Sequence, residues 1–542
     1  MTACPDVTVI VAVYNTMPYL TECLNSLMGQ SIGLERLEVI AVDDGSTDGS
    51  AGELDRFAER YPGVVTVLRQ PNSGGPAAPS NRALDRATGR FVYFVGSDDY
   101  LGEEALERLV AYADTHESDV VAGRMVGVNG RYVHQKLYTE NAPDISLYHS
   151  PLPFTLANTK LFRRELVEKH HLRFPEDLPV GSDQPFTIEA CVRARRISVL
   201  ADYTCYYAVK RGDASNITYR ADHLARLRCT TRIMDHAAGL VPPGPRRDAL
   251  FARHFAWELS KLLLTDFPAL GVETRRQLCA GLSVLLDAYY TDALRDSTGV
   301  RRRVRFGLAR RGAVEALSRA ITDEAEHGAP PFLLEGDRAF AAYPGFRDPA
   351  VGLDDRYYEV LGETVAGRLA AGTRFESADW EQLGADLLLT VRLRLGVTGD
   401  VSSAAVALVQ GAMPPSADRP GARRLRGEDG RPPAPGDLTA VAAADGHGTQ
   451  VRARVPVPAV RATKGVRVYV DVAGSAYEIP VRTEGRPMPL ARRWGEADPY
   501  RVAARPNTKG RLVITTAPLV EPRHGPGTRL RRLLRPKRKR SR

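Results

Sequence analysis

Residues 90–100, Arg-Phe-Val-Tyr-Phe-Val-Gly-Ser-Asp-Asp-Tyr, decide how the chain is read. Phe91 to Val95 form a short run of aromatic and β-branched residues, the signature of a buried strand. The run stops at Gly96-Ser97, and two carboxylates, Asp98 and Asp99, follow at once. A buried parallel strand that ends this way puts both acids at the carboxyl edge of its sheet, where open α/β sheets bind ligands. Adjacent carboxylates repel one another once dehydrated. A hard, oxygen-preferring ion such as Mg2+ or Mn2+ relieves that repulsion. A second reading makes the pair the N-cap of a helix over EEALERLVAYAD.

The chain before this stretch repeats the pattern. Val7–Val13 is an apolar strand ended by Tyr14-Asn15, and Leu20, Leu24, Leu27 and Met28 follow at helical spacing. Leu37–Val42 is a second strand and runs into Asp43-Asp44-Gly45-Ser46. A helix, SAGELDRFAERY, precedes the strand VVTVLRQ, the loop Asn72–Pro76 and the helix APSNRALDRAT. Strands and helices alternating over short loops predict a parallel, doubly wound sheet. Its strand ends bring Asn15, Asp43, Asn72 and Asp98 to one edge. Such an edge suits a nucleotide-sugar, with Asp43 accepting from the nucleobase or ribose and Asp98 holding a metal that bridges the diphosphate. No GxGxxG and no GxxxxGK[ST] occurs, which excludes a dinucleotide fingerprint and P-loop chemistry.

At 542 residues the chain is too long for one core, and roughly two to four domains are expected. Six cysteines without CxxC spacing read as reduced structural residues, giving neither a zinc site nor a disulfide framework. The N-terminus lacks a secretory pattern, and no apolar run reaches the ~20 residues of a membrane span. A cytoplasmic protein is expected. The net charge of +9 equals the charge of the last fourteen residues, RLRRLLRPKRKRSR, which carry nine Lys/Arg and no acid. The rest of the chain is therefore near neutral, which argues against a nucleic-acid groove. The tail reads as a contact for an anionic membrane or another polyanion, or as a solubilising appendage.

TVIVAVYN, AVDDGSTDGS, NSGGPAAPSNRAL and FVYFVGSDDYL, in this order and spacing, resemble an inverting family 2 glycosyltransferase with a GT-A fold. Further stretches, VNGRYVHQKLYTENAPDISL, PFTLANTKLFRRELV, LRFPEDLPVGSDQPFT and RISVLADYTCYYAVKR, resemble the poly(ribitol-phosphate) β-N-acetylglucosaminyltransferases of wall teichoic acid. The resemblance covers about the first 210 residues. It implies a UDP-sugar donor, an anionic polyol-phosphate polymer as acceptor, and Mn2+ or Mg2+ as cofactor.

Residue by residue, the resemblance implies that Val13, Tyr14, Asn15 and Asp43 hold the uridine, with Asn72 on the uracil. The family's Asp-Ser-Asp-Asp metal motif is Gly96-Ser97-Asp98-Asp99 here. Ser97 then falls to the donor and Asp98 to both donor and metal. The family's loop Arg is Ser80 here, and Arg82 stands two positions on as its substitute. An inverting transferase needs one general base. The family's Glu-Asp-Gln is Ser182-Asp183-Gln184, which makes Asp183 the base; its other reading is a cap for the helix DQPFTIEACVRA. Lys210-Arg211 and Ser215-Asn216 match a loop that closes on the diphosphate, so Arg211 and Ser215 join the donor set.

Beyond the transferase, amphipathic segments with Pro/Gly breaks predict a helical linker domain. From about 385, short alternating segments predict an immunoglobulin-like β-sandwich of about seven strands, interrupted by PPSADRPGARRLRGEDGRPPAPGD. The expected layout is a GT-A (Rossmann-like) α/β catalytic domain over 1–220, a linker over 221–384, a β-sandwich over 385–520 and a basic disordered tail over 521–542. The resemblance implies C-terminal immunoglobulin-like modules that assemble trimers and bind polymer; one module is read here where relatives can have two, and a homotrimer is one candidate assembly. Other classes remain: a transferase acting on a lipid-linked glycan or exopolysaccharide, and a carbohydrate-binding scaffold with a decayed GT-A domain, which Gly96 and Ser182 would mark. The tail and acceptor together suggest a peripheral position at the inner membrane face.

Overall fold

The structure is a computed structural model. It describes residues 4–212 and 222–335, and residues 338–519 with interruptions of which the longest are 411–422 and 425–437. Two compact units divide the chain, one over 1–298 and 305–322, the other over 299–304 and 323–542.

The first unit is built on an eight-stranded sheet. Its elements are β1 (Val7–Val13), α1 (Tyr19–Met28), β2 (Leu37–Asp43), α2 (Ser50–Arg60), β3 (Val65–Arg69), α3 (Ala77–Leu84), β4 (Phe91–Gly96), β5 (Tyr100–Leu101), α4 (Ala105–His116), β6 (Val120–Val128), β7 (Leu161–Arg163), α5 (Arg164–Lys169), α6 (Asp183–Arg193) and β8 (Ile197–Val209). The strand order is β3-β2-β1-β4-β7-β6-β8-β5. The first four strands are parallel, as the alternating pattern predicts. β7 then runs antiparallel to both β4 and β6, so the whole sheet is mixed. β1 and β2 read as near-continuous apolar runs because both faces are covered. From α1 and α4, Leu20, Leu24, Leu27, Leu106, Leu109 and Val110 pack into that core.

Register decides where the loops leave. Val13 pairs with Asp43 and Ala12 with Gly96, so β1, β2 and β4 end level. The sequence order of strands reverses between β1 and β4, which opens a crevice at their carboxyl ends. Helix α4 begins at Ala105 with Glu104 at its N-cap, and β5 intervenes after Asp99. Asp98 and Asp99 therefore do not cap that helix.

Helices His223–Leu240, Pro245–Arg253, Val272–Tyr289, Asp292–Ser297, Val300–Arg310 and Val314–His327 follow, with a π-helical turn at His254–Leu259. None in the described residues is long and apolar enough to cross a membrane.

The second unit is largely antiparallel β. Three sheets hold three, four and seven strands. The described residues hold more strands than the seven or so expected, and strands begin at Phe332–Glu335, Arg338–Ala341 and Arg374–Leu383, before the expected boundary at 385. The last of these, RFESADWEQL, is rich in acids that strands disfavour. Partners explain it: Glu376 takes Arg394 at 2.7 Å and Glu381 takes Arg454 at 3.2 Å, while Phe375 and Ala378 are buried. Val401–Gln410, rich in Ala and Ser, was likewise not expected and pairs with Ala462–Val472. The expected loop over 414–437 lies outside the described residues except Arg423–Arg424, which pair with Tyr477 and Glu478. The tail over 521–542 lies outside them as well.

Candidate active site

A cavity of about 820 Å3 opens at the level ends of β1, β2 and β4. Polar side chains knit the three loops together. Asn15, at φ 49°, accepts from Thr47 N at 2.8 Å through Oδ1 and donates its own N–H to Ser46 Oγ at 3.1 Å. Thr16 Oγ1 and Ser97 Oγ lie 2.9 Å apart, tying the end of β1 to the end of β4. On the far wall Asn72 Oδ1 accepts from Gly74 N at 3.0 Å.

Of the two acids after β2, the second lines the cavity. Asp44 accepts from Ser73 N and Ser73 Oγ, both at 3.0 Å through Oδ2, and from Gln70 Nε2 at 2.7 Å. Asp43 is the last strand residue. Its Oδ1 accepts from Ser46 N at 3.1 Å, and it is absent from the lining. Where Asp43 is expected at the ligand, Asp44 lines the cavity instead: a one-residue step at a strand end exchanges which side chain meets the crevice.

The two acids after β4 divide their work. Asp99 is buried, accepting from Tyr206 OH at 2.6 Å and Val209 N at 2.7 Å, with Arg131 Nη1 3.7 Å away. Burial, and next the neighbouring Asp98 charge, push its pKa up to about 6. Asp98 is on the cavity wall, with Oδ2 accepting from Arg211 Nε at 2.8 Å. With both Asp99 oxygens engaged inside the sheet, Asp98 is the carboxylate of the pair suited to a metal. No group of three or more His, Cys, Asp or Glu residues that could hold a metal occurs among the described residues. A single carboxylate fits Mg2+ or Mn2+, which take one or two carboxylates and fill the remaining positions with substrate phosphates and water.

Gly96 stands where a carboxylate is expected in the motif. A Cβ there would lie 2.8 Å from Asp99 Oδ2 and 3.2 Å from Asp98 Oδ1. Its N–H donates to Tyr206 OH at 3.0 Å, and that hydroxyl would lie 3.3 Å from the Cβ, so the two acids and Tyr206 crowd the space of the missing side chain.

Asp183 opens α6 and faces the same cavity. The helix is anchored three residues on: the Phe186 ring stacks on Phe174 at 4.4 Å and meets Phe94 of β4 edge-on at 5.4 Å. Ser182 holds the N-cap position, which leaves Asp183 in the first turn, where the helix dipole favours its charge. Burial pushes the Asp183 pKa up, opposed by the Arg253 guanidinium, its own backbone N–H and the Lys160 ammonium. Arg253 is held by Gln184 Oε1 at 2.9 Å and Glu258 at 3.1 Å.

The cavity thus gathers Val13, Tyr14, Asn15, Asn72, Ser97, Asp98, Asp183 and Arg211 from the expected set. Arg82 is not among them. It is exposed, and its Nη1 donates to the Arg69 carbonyl at 2.5 Å. Arg82 stands two positions on from Ser80, which does line the cavity, and two positions carry a side chain roughly 200° around the helix, off the crevice. Ser215 lies outside the described residues. Asp44, Arg131 and Tyr206 were missed. Only Asp44 had a local signal, as one half of an acidic pair at a strand end.

Residues 8–173 match the model of glycosyl transferase family 2, and residues 225–321 match the glycosyl transferase TarS linker domain. The poly(ribitol-phosphate) β-glucosyltransferase of Bacillus spizizenii is 41% identical over 214 residues, 39% of this chain and 34% of the relative. The poly(ribitol-phosphate) β-N-acetylglucosaminyltransferase TarS of Staphylococcus aureus is 44% identical over 203 residues, 38% of this chain and 35% of the relative. The match therefore spans about a third of the length of these curated relatives. The crystal structure of S. aureus TarS 1-349 in complex with UDP-GlcNAc superposes with a TM-score of 0.57 at 30% identity, covering 66% of this chain and 99% of that one. A GT-A sheet with Asp98 and Asp183 on one cavity, followed by a TarS-type linker, makes the chain a member of the family 2 glycosyltransferases in their TarS-like branch.

Proposed function

We propose that this protein is an inverting, metal-dependent transferase that moves a sugar from a UDP-sugar to poly(ribitol-phosphate) or a closely similar polyol-phosphate polymer. The observation that carries this reading is the shared cavity: Asp98 with Arg211 on one side and Asp183 on the other. Asn15, Asp44 and Asn72 bind the uridine end. Arg211 takes up charge that develops on the departing diphosphate, as preorganised cations do. Asp98 would hold a divalent ion, whose chemistry when bound would be Lewis-acid stabilisation of the same charge. Asp183 accepts the proton of the acceptor hydroxyl as attack proceeds from the side opposite UDP, which inverts the anomeric centre. Burial raises the basicity of this carboxylate, which suits the role.

The donor sugar is glucose or N-acetylglucosamine, since one relative bears each activity in its name. N-Acetylglucosamine is our first choice, in keeping with the relative solved with UDP-GlcNAc. The basic tail, with nine Lys/Arg in the last fourteen residues, would hold the protein near an anionic surface. The test is a panel of UDP-sugars incubated with purified poly(ribitol-phosphate) and Mn2+, read by mass spectrometry. Addition of one hexose or N-acetylhexosamine per transfer supports the reading. UDP release without any polymer mass gain, for every donor, contradicts the acceptor assignment.

A further inference from the structure

Lys160 is among the largest fully buried side chains, at 1% exposure. It immediately precedes β7, in the stretch TLANTKLF. A buried ammonium is costly unless its donors are satisfied. Here Nζ donates to Thr155 O at 2.5 Å and Ala157 O at 2.6 Å. Both carbonyls belong to the turn whose next residues, Ala157, Asn158 and Thr159, line the cavity. The ammonium therefore pins the turn that forms this wall.

Its charge also acts on Asp183. Around that carboxylate the charged groups are Arg253, Lys160 and Glu258. Arg253 is paired with Glu258, whose carboxylate opposes ionisation of Asp183, so part of the Arg253 field is cancelled. Lys160 directs its bonds to neutral carbonyls. Its other facing groups are Arg253 and Cys191, a thiol that burial pushes up to about 11 and keeps neutral. The Lys160 field thus falls on Asp183 without a local counter-ion from these groups. Burial lowers the Lys160 pKa to about 8, which leaves it charged at neutral pH.

We infer that Lys160 is a positioning residue for transfer: its ammonium clamps the carbonyls of Thr155 and Ala157 to set the wall at 157–159, and its charge, beside that of Arg253, favours the ionised form of Asp183. This rests on Asp183 being the general base.

Two variants of the full chain separate clamp from charge. Lys160→Gln keeps a donor for one carbonyl and removes the charge. Lys160→Met removes both. The readouts are UDP affinity by calorimetry, and the pH dependence of turnover with polymer and of UDP-sugar hydrolysis with water as acceptor. In Lys160→Gln the acidic limb should move up by roughly one pH unit, since loss of a nearby cation raises a carboxylate pKa. UDP affinity should not change. Lys160→Met should show the same shift and a raised KM for polymer. If Lys160→Met does not fold, the Gln variant carries the test. An unmoved acidic limb in Lys160→Gln, with only a lowered melting temperature, assigns Lys160 a merely structural role and overturns the inference. Absence of turnover by the wild-type chain on any donor overturns the functional reading, and this inference with it.

Discussion

Arg211 Nε stands 2.8 Å from Asp98 Oδ2, and each side chain is only 15% exposed. β8 brings the arginine there, and Asp99 fastens that strand by accepting from Tyr206 OH and Val209 N. Arg211, just past the end of β8, therefore meets Asp98, just past the end of β4, with Asp99 holding the two strand ends together. Arg211→Ala should reduce turnover by ~10^2–10^3, the usual loss for a charge-stabilising donor. Asp98→Ala should abolish stimulation by Mn2+. UDP release measured with and without Mn2+ checks both; Mn2+-dependent release at the wild-type level in Asp98→Ala would remove Asp98 from the metal site.

The acids after β2 give a paired test. Asp44→Asn should weaken UDP binding by about 10-fold or more, because a hydrogen bond to a charged group contributes roughly 1.5–3 kcal/mol. Asp43→Ala should leave UDP affinity within a few-fold, and lower stability by about 1 kcal/mol through loss of the Ser46 N–H acceptor. Calorimetric titration with UDP and urea unfolding distinguish them. The reverse pattern would restore Asp43 to the donor.

His254 predicts how stability depends on pH. It is fully buried, and burial, with the Arg253 charge next, lowers its pKa from 6.5 to about 3. The unfolded chain takes up a proton below 6.5 that the folded chain refuses until about pH 3. Stability from this group is thus present above 6.5 and is lost as pH falls toward 3, at up to ~1.4 kcal/mol per pH unit. His254→Phe removes the titration and keeps ring contact with Phe251, now 6.0 Å away. Urea midpoints of this variant should fall less between pH 7 and 5 than those of the wild-type chain. Equal falls would show that other groups govern the acid limb.

Much of the catalytic unit was legible because its physics is local. The runs at Val7–Val13, Leu37–Val42 and Phe91–Val95 are strands for reasons visible in each run, and the acids and Asn15 stand where those runs stop. Asp183 came from a motif. Arg131, Lys160 and Arg253 had no such signal, because each reaches the site through tertiary packing from a distant segment. Arg82 and Asp43 do not line the cavity while Ser80 and Asp44 do, because side-chain direction at a helix or a strand end follows from backbone geometry and not from spacing in the sequence. In the second unit, Arg374–Leu383 hid because its acids look unfavourable for a strand until their arginine partners on neighbouring strands are known.

The basic tail gives an independent prediction. Nine positive charges in residues 529–542 should add membrane or polymer affinity, about 1 kcal/mol for each residue close to an anionic surface. Truncation after Thr528 should leave donor hydrolysis intact and weaken binding to anionic vesicles, with the difference shrinking as salt rises. Co-sedimentation at low and high salt reads this. Identical binding by both forms at low salt would make the tail a solubilising appendage.

Inverting transfer requires that Asp183 take the acceptor proton. Asp183→Asn keeps shape and polarity at the head of α6 but removes the base. The rate of sugar transfer to poly(ribitol-phosphate) at saturating donor should fall by ~10^2–10^4, the worth of a general base, while UDP affinity stays at its wild-type value. Transfer within a few-fold of the wild-type rate would mean that another group takes the proton.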